Sequence, residues 1–224
     1  MKVIATVSYK YDGDYLDDLK ENIKDIADEV ILKFDEKGIF LKNAGKYRAE
    51  MFRRAERAGA DYILAIDPDE RFEKGAARKI KKLLKKYYGQ KVLFKFHFRE
   101  MYTPNSYRVD GIWGGKEREM IFSVFPDNIY SDAKLHEPRY PINDDYKWIR
   151  TGLNVYHLKC IKPELRKHRK ELYKKLDPES KWNGGTGYDY LDDETGIGLK
   201  KVPFWRMYKP KYRDYKIDER IFNT

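Results

Sequence analysis

Strand-type and helix-type hydrophobic patterns alternate through the first hundred residues, and this alternation most limits what the chain can fold into. Four short apolar runs are typical of buried strands: residues 3–8, 29–34, 62–66 and 92–98. Three segments repeat apolar side chains at helical spacing: residues 14–27, 44–58 and 73–88. Strand–helix–strand repetition with short links predicts an α/β fold in which helices flank a mostly parallel sheet.

The pattern becomes less regular after residue 100. Residues 102–115 are rich in Tyr, Gly, Pro and Asn, which predicts a loop. Residues 120–125 and 153–158 have strand character, and residues 163–176 form a helical pattern that begins at a proline. We therefore expect one domain over residues 1–176 and a less regular C-terminal extension, packed on the same domain, over residues 177–224.

The absence of a long apolar run argues against a membrane-spanning helix, which needs roughly 20 such residues. The N-terminus enters the strand pattern at once, without the apolar region of a signal peptide. The single cysteine, Cys160, excludes an intramolecular disulfide and a cysteine-based zinc cluster. These features predict a cytoplasmic protein.

The chain is basic, with 47 Lys and Arg against 37 Asp and Glu and a net charge of +10. Much of this charge lies in two helical stretches, residues 74–86 and 159–175. Such a balance favours polyanionic partners. The two stretches are either solvated helix faces or binding patches, and they permit peripheral contact with an anionic membrane.

The strongest local feature is the run Asp67-Pro68-Asp69-Glu70, which follows the apolar strand pattern of residues 62–66. In α/β sheets ligands bind beyond the carboxyl ends of the strands, which also singles out Ser8, Tyr9 and Asp35. Oxygen ligands at this spacing suit Mg²⁺ or Mn²⁺ bound together with the phosphates of a substrate. The alternative is a turn that caps the following helix.

The motifs and their order resemble the GT-A-fold (Rossmann-like) glycosyltransferases of family 2, particularly the branch with the lipopolysaccharide core glucosyltransferases. The resemblance covers roughly residues 1–175. Five stretches carry it: Ala5-Thr6-Val7-Ser8-Tyr9, Val30-Ile31-Leu32-Lys33-Phe34-Asp35, Asp67-Pro68-Asp69-Glu70, Leu135-His136-Glu137-Pro138 and Val155-Tyr156-His157-Leu158.

The resemblance implies a metal-dependent, inverting transfer of sugar from a nucleoside-diphosphate sugar, with UDP as the expected nucleotide, to a hydroxyl of a glycan or lipid-linked acceptor. The half of the domain formed by about residues 1–100 would then bind the nucleotide, and the half formed by about residues 101–176 would bind the acceptor. Asp69 would bind the metal. Asp67 would also belong to the metal site, or hold a metal-bound water or the donor ribose. His157 would complete the metal ligands.

The resemblance further implies that Ser8, Tyr9 and Asp35 contact the donor and that Glu137 is the general base, with Asp132 and Glu119 as alternatives. The family often has Arg-Asn near the start of the second helix, where this chain has Arg48-Ala49, so Arg48 alone would keep a donor contact.

Two further cations, Arg118 and Arg150, are candidates for gripping a diphosphate or a charged acceptor. Two other functional classes remain open. A metal-dependent nuclease or other phosphoryl-transfer enzyme would use the same carboxylates, and its phosphate contacts would explain the basic charge. A non-catalytic basic module would bind polyanions without a metal. The family resemblance favours the glycosyltransferase over both alternatives, and it implies no nucleic-acid partner.

Overall fold

A computed structural model describes residues 1–133, 138–181 and 184–223 of the chain. The strands within these ranges are β1 (Val3–Tyr9), β2 (Glu29–Phe34), β3 (Tyr62–Ala65), β4 (Glu70–Phe72), β5 (Val92–Thr103), β6 (Ser106–Arg108), β7 (Glu117–Ser123), β8 (Lys147–His157) and β9 (Leu199–Lys201). The helices are α1 (Leu16–Ile23), α2 (Ile39–Lys42), α3 (Ala44–Arg57), α4 (Ala76–Lys86) and α5 (Pro163–Leu176).

Three of the four apolar strands predicted within the first hundred residues, β1, β3 and β5, lie inside the sheet, and the fourth, β2, forms one edge. β1 lies between β2 and β3 and pairs with both in parallel, with Ala5 opposite Val30 on one side and Leu64 on the other. All four side chains of β3 are buried. Helices α1 and α4 pack on one face of the sheet, and α3 packs on the other. The predicted α/β class, with helices flanking the sheet and a less regular C-terminal part, is confirmed.

The sheet is mixed beyond β3, because β7 enters antiparallel to both β3 and β5. The chain reverses after β5 in a hairpin with β6, whose turn contains Pro104 and Asn105, and part of the predicted loop over residues 102–115 is therefore strand. Pro and Asn are ordinary turn residues, but the strand that follows is too short for its alternation to be recognised in the sequence.

Two successive reversals restore the original direction. Because β7 is antiparallel to β3 and β5 is antiparallel to β7, β5 runs the same way as β1, β2 and β3, and β8 runs parallel to β5. The carboxyl ends of these five strands therefore face one edge of the sheet. This edge brings Ser8, Asp67 and His157 together, although the chain separates them widely.

Residues beyond α5 pack against the β5–β8 side of the sheet. Tyr208 and Tyr215 belong to a buried cluster with Met101 and Tyr156, and Leu191 packs with Trp113. The division of the chain at residue 176 stays a prediction. None of the helices in the described ranges combines the length and apolar character needed to cross a membrane.

Candidate active site

A cavity of about 250 Å³ lies at the carboxyl edge of the sheet. The described residues that the resemblance assigned to the donor and the metal all line this cavity: Ser8, Tyr9, Asp35, Arg48, Asp67, Asp69 and His157. Glu137, the expected general base, lies outside the described residues, as does His136. The two alternative carboxylates, Glu119 and Asp132, do not line the cavity.

The Asp67-Pro68-Asp69-Glu70 segment forms a tight turn between β3 and β4. The Glu70 amide donates to the Asp67 carbonyl oxygen at 3.1 Å, and the Asp67 amide donates to Oε2 of Glu70 at 2.9 Å. Proline favours the second position of such a turn. The chain then enters a strand, and α4 begins only at Ala76 with Gly75 before it. The alternative interpretation of the motif as a helix cap is therefore wrong.

The guanidinium of Arg71, which is fully buried, holds this turn in place. Nη1 donates to the carbonyl oxygens of Pro68 and Glu70 at 2.6 and 2.8 Å, and Nη2 donates to the carbonyl oxygen of Tyr15 at 2.8 Å. The guanidinium of Arg71 thus donates hydrogen bonds to three carbonyl oxygens that belong to two separate segments of the chain. Arg71 thereby links the turn that carries both aspartates to the segment before α1.

Two arginines neutralise Asp67. Arg48 donates from Nη2 to Oδ1 at 3.0 Å, and Arg139 donates to Oδ2 and also to Oε1 of Glu70, the latter at 2.8 Å. Burial would raise the pKa of Asp67, but the charges of Arg139 and Arg48 hold it well below its usual range. Both oxygens of Asp67 are therefore engaged, which fits an orienting contact or a metal-bound water better than direct metal binding.

Asp69 instead faces His157, with Oδ2 of Asp69 lying 3.2 Å from Nε2 of His157. The other ring nitrogen, Nδ1, lies 2.5 Å from Oε1 of Glu100, a buried residue of β5. Burial opposes a charge on His157, but the two carboxylates raise the pKa of its imidazole to about 9. The same histidine lowers the pKa of Asp69 against the effect of burial.

The residues present fit a divalent cation between Asp69 and His157. Two adjacent ligands at ~2.1 Å from an octahedral ion are about 3 Å apart, close to the distance that separates these two atoms. Glu100 would act as the carboxylate that orients a metal-binding histidine. Several carboxylates also lie close together here. Burial and the charges of Asp67 and Asp69 raise the pKa values of Asp12 and Glu70, although nearby cations act in the opposite direction. A divalent cation would relieve this crowding.

A second arrangement of metal-binding atoms shares the same histidine. Single ligand atoms of Glu100, His157 and Cys160 lie within 4.8 Å of one another, and all three residues are buried. Neither Glu100 nor Cys160 lines the cavity, whereas Asp69 does. Only the Asp69 side therefore gives an ion access to a substrate.

Aromatic and polar side chains form the end of the cavity nearest β1 and β2. Tyr9 packs on Phe34 with ring centroids 5.4 Å apart, and Phe40 lies under the guanidinium of Arg48 at 4.9 Å. The carboxylate of Asp35 accepts hydrogen bonds from the backbone amides of Ile39 and Phe40 at 2.8 and 3.0 Å, and these bonds anchor the start of α2. A carboxylate has about four acceptor positions, so Asp35 keeps capacity for a ligand.

Basic side chains line the opposite part of the cavity. Arg118 has a buried Nε atom with no hydrogen-bond partner in the described part of the chain, and its guanidinium lies 4.8 Å from the Phe98 ring centroid. Burial and the neighbouring Arg139 lower the pKa of Arg118. Lys159 pairs with Asp12 at 3.3 Å. An anion placed here would satisfy Arg118, because buried donors require partners.

Helix α5 and the C-terminal segment close one side of the cavity. Arg169, Leu172 and Tyr173 of α5 line it together with Ile221. Phe222 contacts the ring of His168 edge-on, with centroids 5.3 Å apart. Residues that match no motif in the sequence thus contribute to the wall.

The sequence did not identify Glu100, Arg139 or Arg71. Glu100 lies opposite His157 at the last paired position of β5 and β8, and only the pairing of these two strands reveals this. Arg139 directly follows His136-Glu137-Pro138 in the sequence, and this position next to a motif could have marked it as a candidate site residue. Of the two arginines proposed for diphosphate binding, Arg118 lines the cavity, whereas Arg150 pairs with Glu117 on the surface, where 78% of its side chain is exposed.

No protein-family model and no curated protein matches the chain. Among solved structures, TarS of S. aureus is 12% identical over 86% of this chain with a TM-score of 0.43, and this chain spans only 42% of the TarS chain. A197 from STIV is 13% identical over 70% of this chain and 86% of its own, with a TM-score of 0.37. The mannose-1-phosphate geranyltransferase from Thermus thermophilus is 13% identical over 93% of this chain and 72% of its own, with a TM-score of 0.31. Likeness at this level carries no inference about activity.

Proposed function

We propose that the protein is a metal-dependent glycosyltransferase that moves a sugar from a nucleoside-diphosphate sugar to a hydroxyl group of a glycan or lipid-linked saccharide, with inversion at the anomeric carbon. The observation that carries the proposal is the Asp69–His157 pair, which opens on a cavity whose wall also holds the buried Nε atom of Arg118 without a partner among the described residues. A cation site beside an anion site suits a metal–diphosphate complex.

Asp69 and His157 would hold Mn²⁺ or Mg²⁺, which would neutralise the negative charge that develops on the diphosphate leaving group. Arg118 would donate to phosphate oxygens from its Nε atom. Asp67, fixed by Arg48 and Arg139, would orient the donor through its remaining acceptor positions. Tyr9 and Phe40 would pack on the nucleotide base, expected to be uracil, while Ser8 and Asp35 would bind its polar groups.

Glu137 is the proposed general base that takes the proton of the acceptor hydroxyl. It precedes Arg139 by two positions in the sequence, and Arg139 lies in the cavity wall beside Asp67. The four cavity-lining aspartates all have other partners. Asp12 pairs with Lys159, Asp35 anchors α2, and Asp67 and Asp69 contact Arg48 and His157 respectively.

Thermal unfolding with a panel of nucleoside diphosphates, with and without Mn²⁺, tests the binding part of the proposal. A ligand at about 100 times its dissociation constant stabilises the folded state by roughly 2.7 kcal/mol. We expect stabilisation by UDP only with the metal. Stabilisation by DNA or RNA instead, accompanied by metal-dependent cleavage, would favour the phosphoryl-transfer alternative. Metal-independent binding of any polyanion would favour the non-catalytic module.

The Glu137→Gln variant tests the catalytic part. We expect it to bind UDP and Mn²⁺ as the wild type does, but to release UDP from a UDP-sugar roughly 10²–10⁴-fold more slowly in the presence of acceptor. Glu119→Gln is the matched control, because Glu119 pairs with Lys95 at 3.1 Å away from the cavity. Normal turnover in Glu137→Gln would assign the base to another residue.

A further inference from the structure

The exposed face of α4 carries only positive charge. Six cations, and no acidic residue, belong to this helix: Arg78, Lys79, Lys81, Lys82, Lys85 and Lys86. All six lie at least partly in solvent, while Ile80 and Leu84 are buried against the sheet. No carboxylate among the described residues forms an ion pair with any of the six.

Like charges three and four positions apart on a helix repel one another and destabilise it. Arg78, Lys81, Lys82 and Lys85 stand at this spacing. A helix that is merely solvated gains from interspersed acidic residues, and α1 of this chain has them, with Lys20 and Asp17 paired at 3.4 Å. The uniform charge of α4 therefore points to an anionic partner that offsets the repulsion.

The cationic face continues around an open groove of about 800 Å³ between α1 and α4. Lys24, Lys74 and Lys209 add three further cations to its lining. Three carboxylates also line the groove. Two of these carboxylates form ion pairs, Glu21 with Lys24 and Glu73 with Arg206. The third carboxylate is Asp25.

Two large apolar rings lie exposed beside the start of α4. Phe204 and Trp205 are 81% and 63% exposed, and their centroids lie 5.0 Å apart with the rings nearly perpendicular. Arg206 fixes this turn by donating to both carboxylate oxygens of Glu73 at 2.6 and 3.0 Å. The Lys74 amide also donates to the carbonyl oxygen of Met207 at 2.9 Å. The rings are thus tied to the amino end of the cationic helix.

We propose that α4 and the Phe204–Trp205 turn dock on the surface of an anionic lipid bilayer. The cations of α4 would lie against the lipid headgroups, and the two rings would enter the interfacial layer, where aromatic side chains are favoured. Clusters of four to eight Lys and Arg on a helix are typical of binding to anionic lipid. The pairing of such a cluster with exposed rings supplies both the electrostatic and the apolar contribution.

The composition of this surface favours lipid over nucleic acid. Five of the six cations on α4 are lysines, which act as hydrated point charges rather than as bidentate phosphate clamps. The two rings stand perpendicular to each other, whereas single-stranded nucleic acid needs successive ring faces on which its bases stack.

The surface lies close to the proposed site of sugar transfer. Lys74 lies five positions after Asp69, so the two backbone positions are at most about 18 Å apart. A docked protein would therefore hold the cavity near the headgroup layer, where a lipid-linked acceptor would present its hydroxyl. The docking itself does not depend on the proposed activity.

Sedimentation with vesicles of phosphatidylcholine, with or without phosphatidylglycerol, tests this proposal on the full chain. We expect binding only to vesicles that contain phosphatidylglycerol, and weaker binding as salt is added. The double variant Lys81→Glu/Lys85→Glu should bind more than tenfold more weakly, given about fivefold for each cation removed. Phe204→Ser/Trp205→Ser should remove the part of the binding that persists in high salt.

Arg54→Glu/Arg57→Glu is the matched control, because it makes the same change in charge on α3, at the opposite face of the sheet. It should bind as the wild type does, and circular dichroism should show both charge variants folded. Equal binding to both kinds of vesicle, or equal losses in the α3 and α4 variants, would overturn the proposal. Binding of RNA or DNA that depends on α4, without vesicle binding, would assign the surface to nucleic acid instead.

Discussion

Nε2 of His157 lies 3.2 Å from Oδ2 of Asp69, and this pair joins the end of β8 to the turn between β3 and β4, which is distant in the sequence. We expect Asp69→Asn and His157→Ala each to abolish the stabilisation that UDP gives in the presence of Mn²⁺, because each removes one of two proposed metal ligands. Thermal unfolding with saturating UDP and Mn²⁺ measures the effect. Asp17→Asn, at a side chain on α1 that is 87% exposed, is the control and should respond as the wild type does. A full response in either site variant would contradict the metal assignment.

Glu100 orients His157 from the side away from the cavity. Glu100→Gln should weaken Mn²⁺ binding about 10- to 100-fold, because loss of the carboxylate partner lowers the basicity of the ring and loosens its position. Calorimetric titration of the protein with Mn²⁺ provides the measurement. Glu117→Gln, which removes a carboxylate paired with surface residue Arg150, should leave the affinity unchanged. An equal loss in the two variants would mean that Glu100 has no special role.

Arg118 and Arg150 provide a matched test of the anion site, because only Arg118 lines the cavity. Arg118→Met should weaken UDP binding by roughly tenfold or more, since a hydrogen bond to a charged group contributes about 1.5–3 kcal/mol. Arg150→Met should have no such effect. Calorimetric titration with UDP at fixed Mn²⁺ compares the two, and equal affinities would show that the diphosphate does not bind at Arg118.

Arg71 contacts the turn of Asp67–Glu70 through backbone carbonyl oxygens of Pro68 and Glu70, and it also binds the carbonyl oxygen of Tyr15. Arg71→Met should lower the free energy of unfolding by at least about 3 kcal/mol, because each buried carbonyl left unpaired costs about 1 kcal/mol or more. Urea unfolding gives this value. Arg78, on the solvent side of α4, serves as the control, and Arg78→Met should change stability by no more than about 0.5 kcal/mol. A similarly small change in Arg71→Met would show that the turn holds without this side chain.

Cys160 should resist alkylation in the folded protein. It is buried, and burial together with the charge of Glu100 raises the pKa of its thiol to about 12. At pH 8 the thiolate fraction would be on the order of 10⁻⁴, and the thiolate is the reactive form. Mass spectrometry after iodoacetamide treatment should show modification in urea but not in buffer. Rapid reaction of the folded protein, suppressed by added Zn²⁺, would instead support a metal at Glu100, His157 and Cys160.

Local patterns were sufficient to place much of the site. The apolar run of β3 and the three acidic residues after it are neighbours in the sequence, so the position of Asp67 and Asp69 at a strand end followed from periodicity and from the rule for ligand sites in α/β sheets. The same rule located Ser8, Tyr9 and Asp35, all of which line the cavity. The role of Glu137 remains a prediction.

The sequence by itself determined the longer strands and helices of the first hundred residues and the carboxylate-rich end of β3, because hydrophobic periodicity and turn residues act over a few neighbouring positions. Only the tertiary structure decided that β7 enters antiparallel, that Glu100 faces His157, and that Arg48 and Arg139 meet at Asp67. These contacts join residues far apart in the chain. They depend on strand register and on the pairing of buried charges, which become defined only when the whole sheet has assembled.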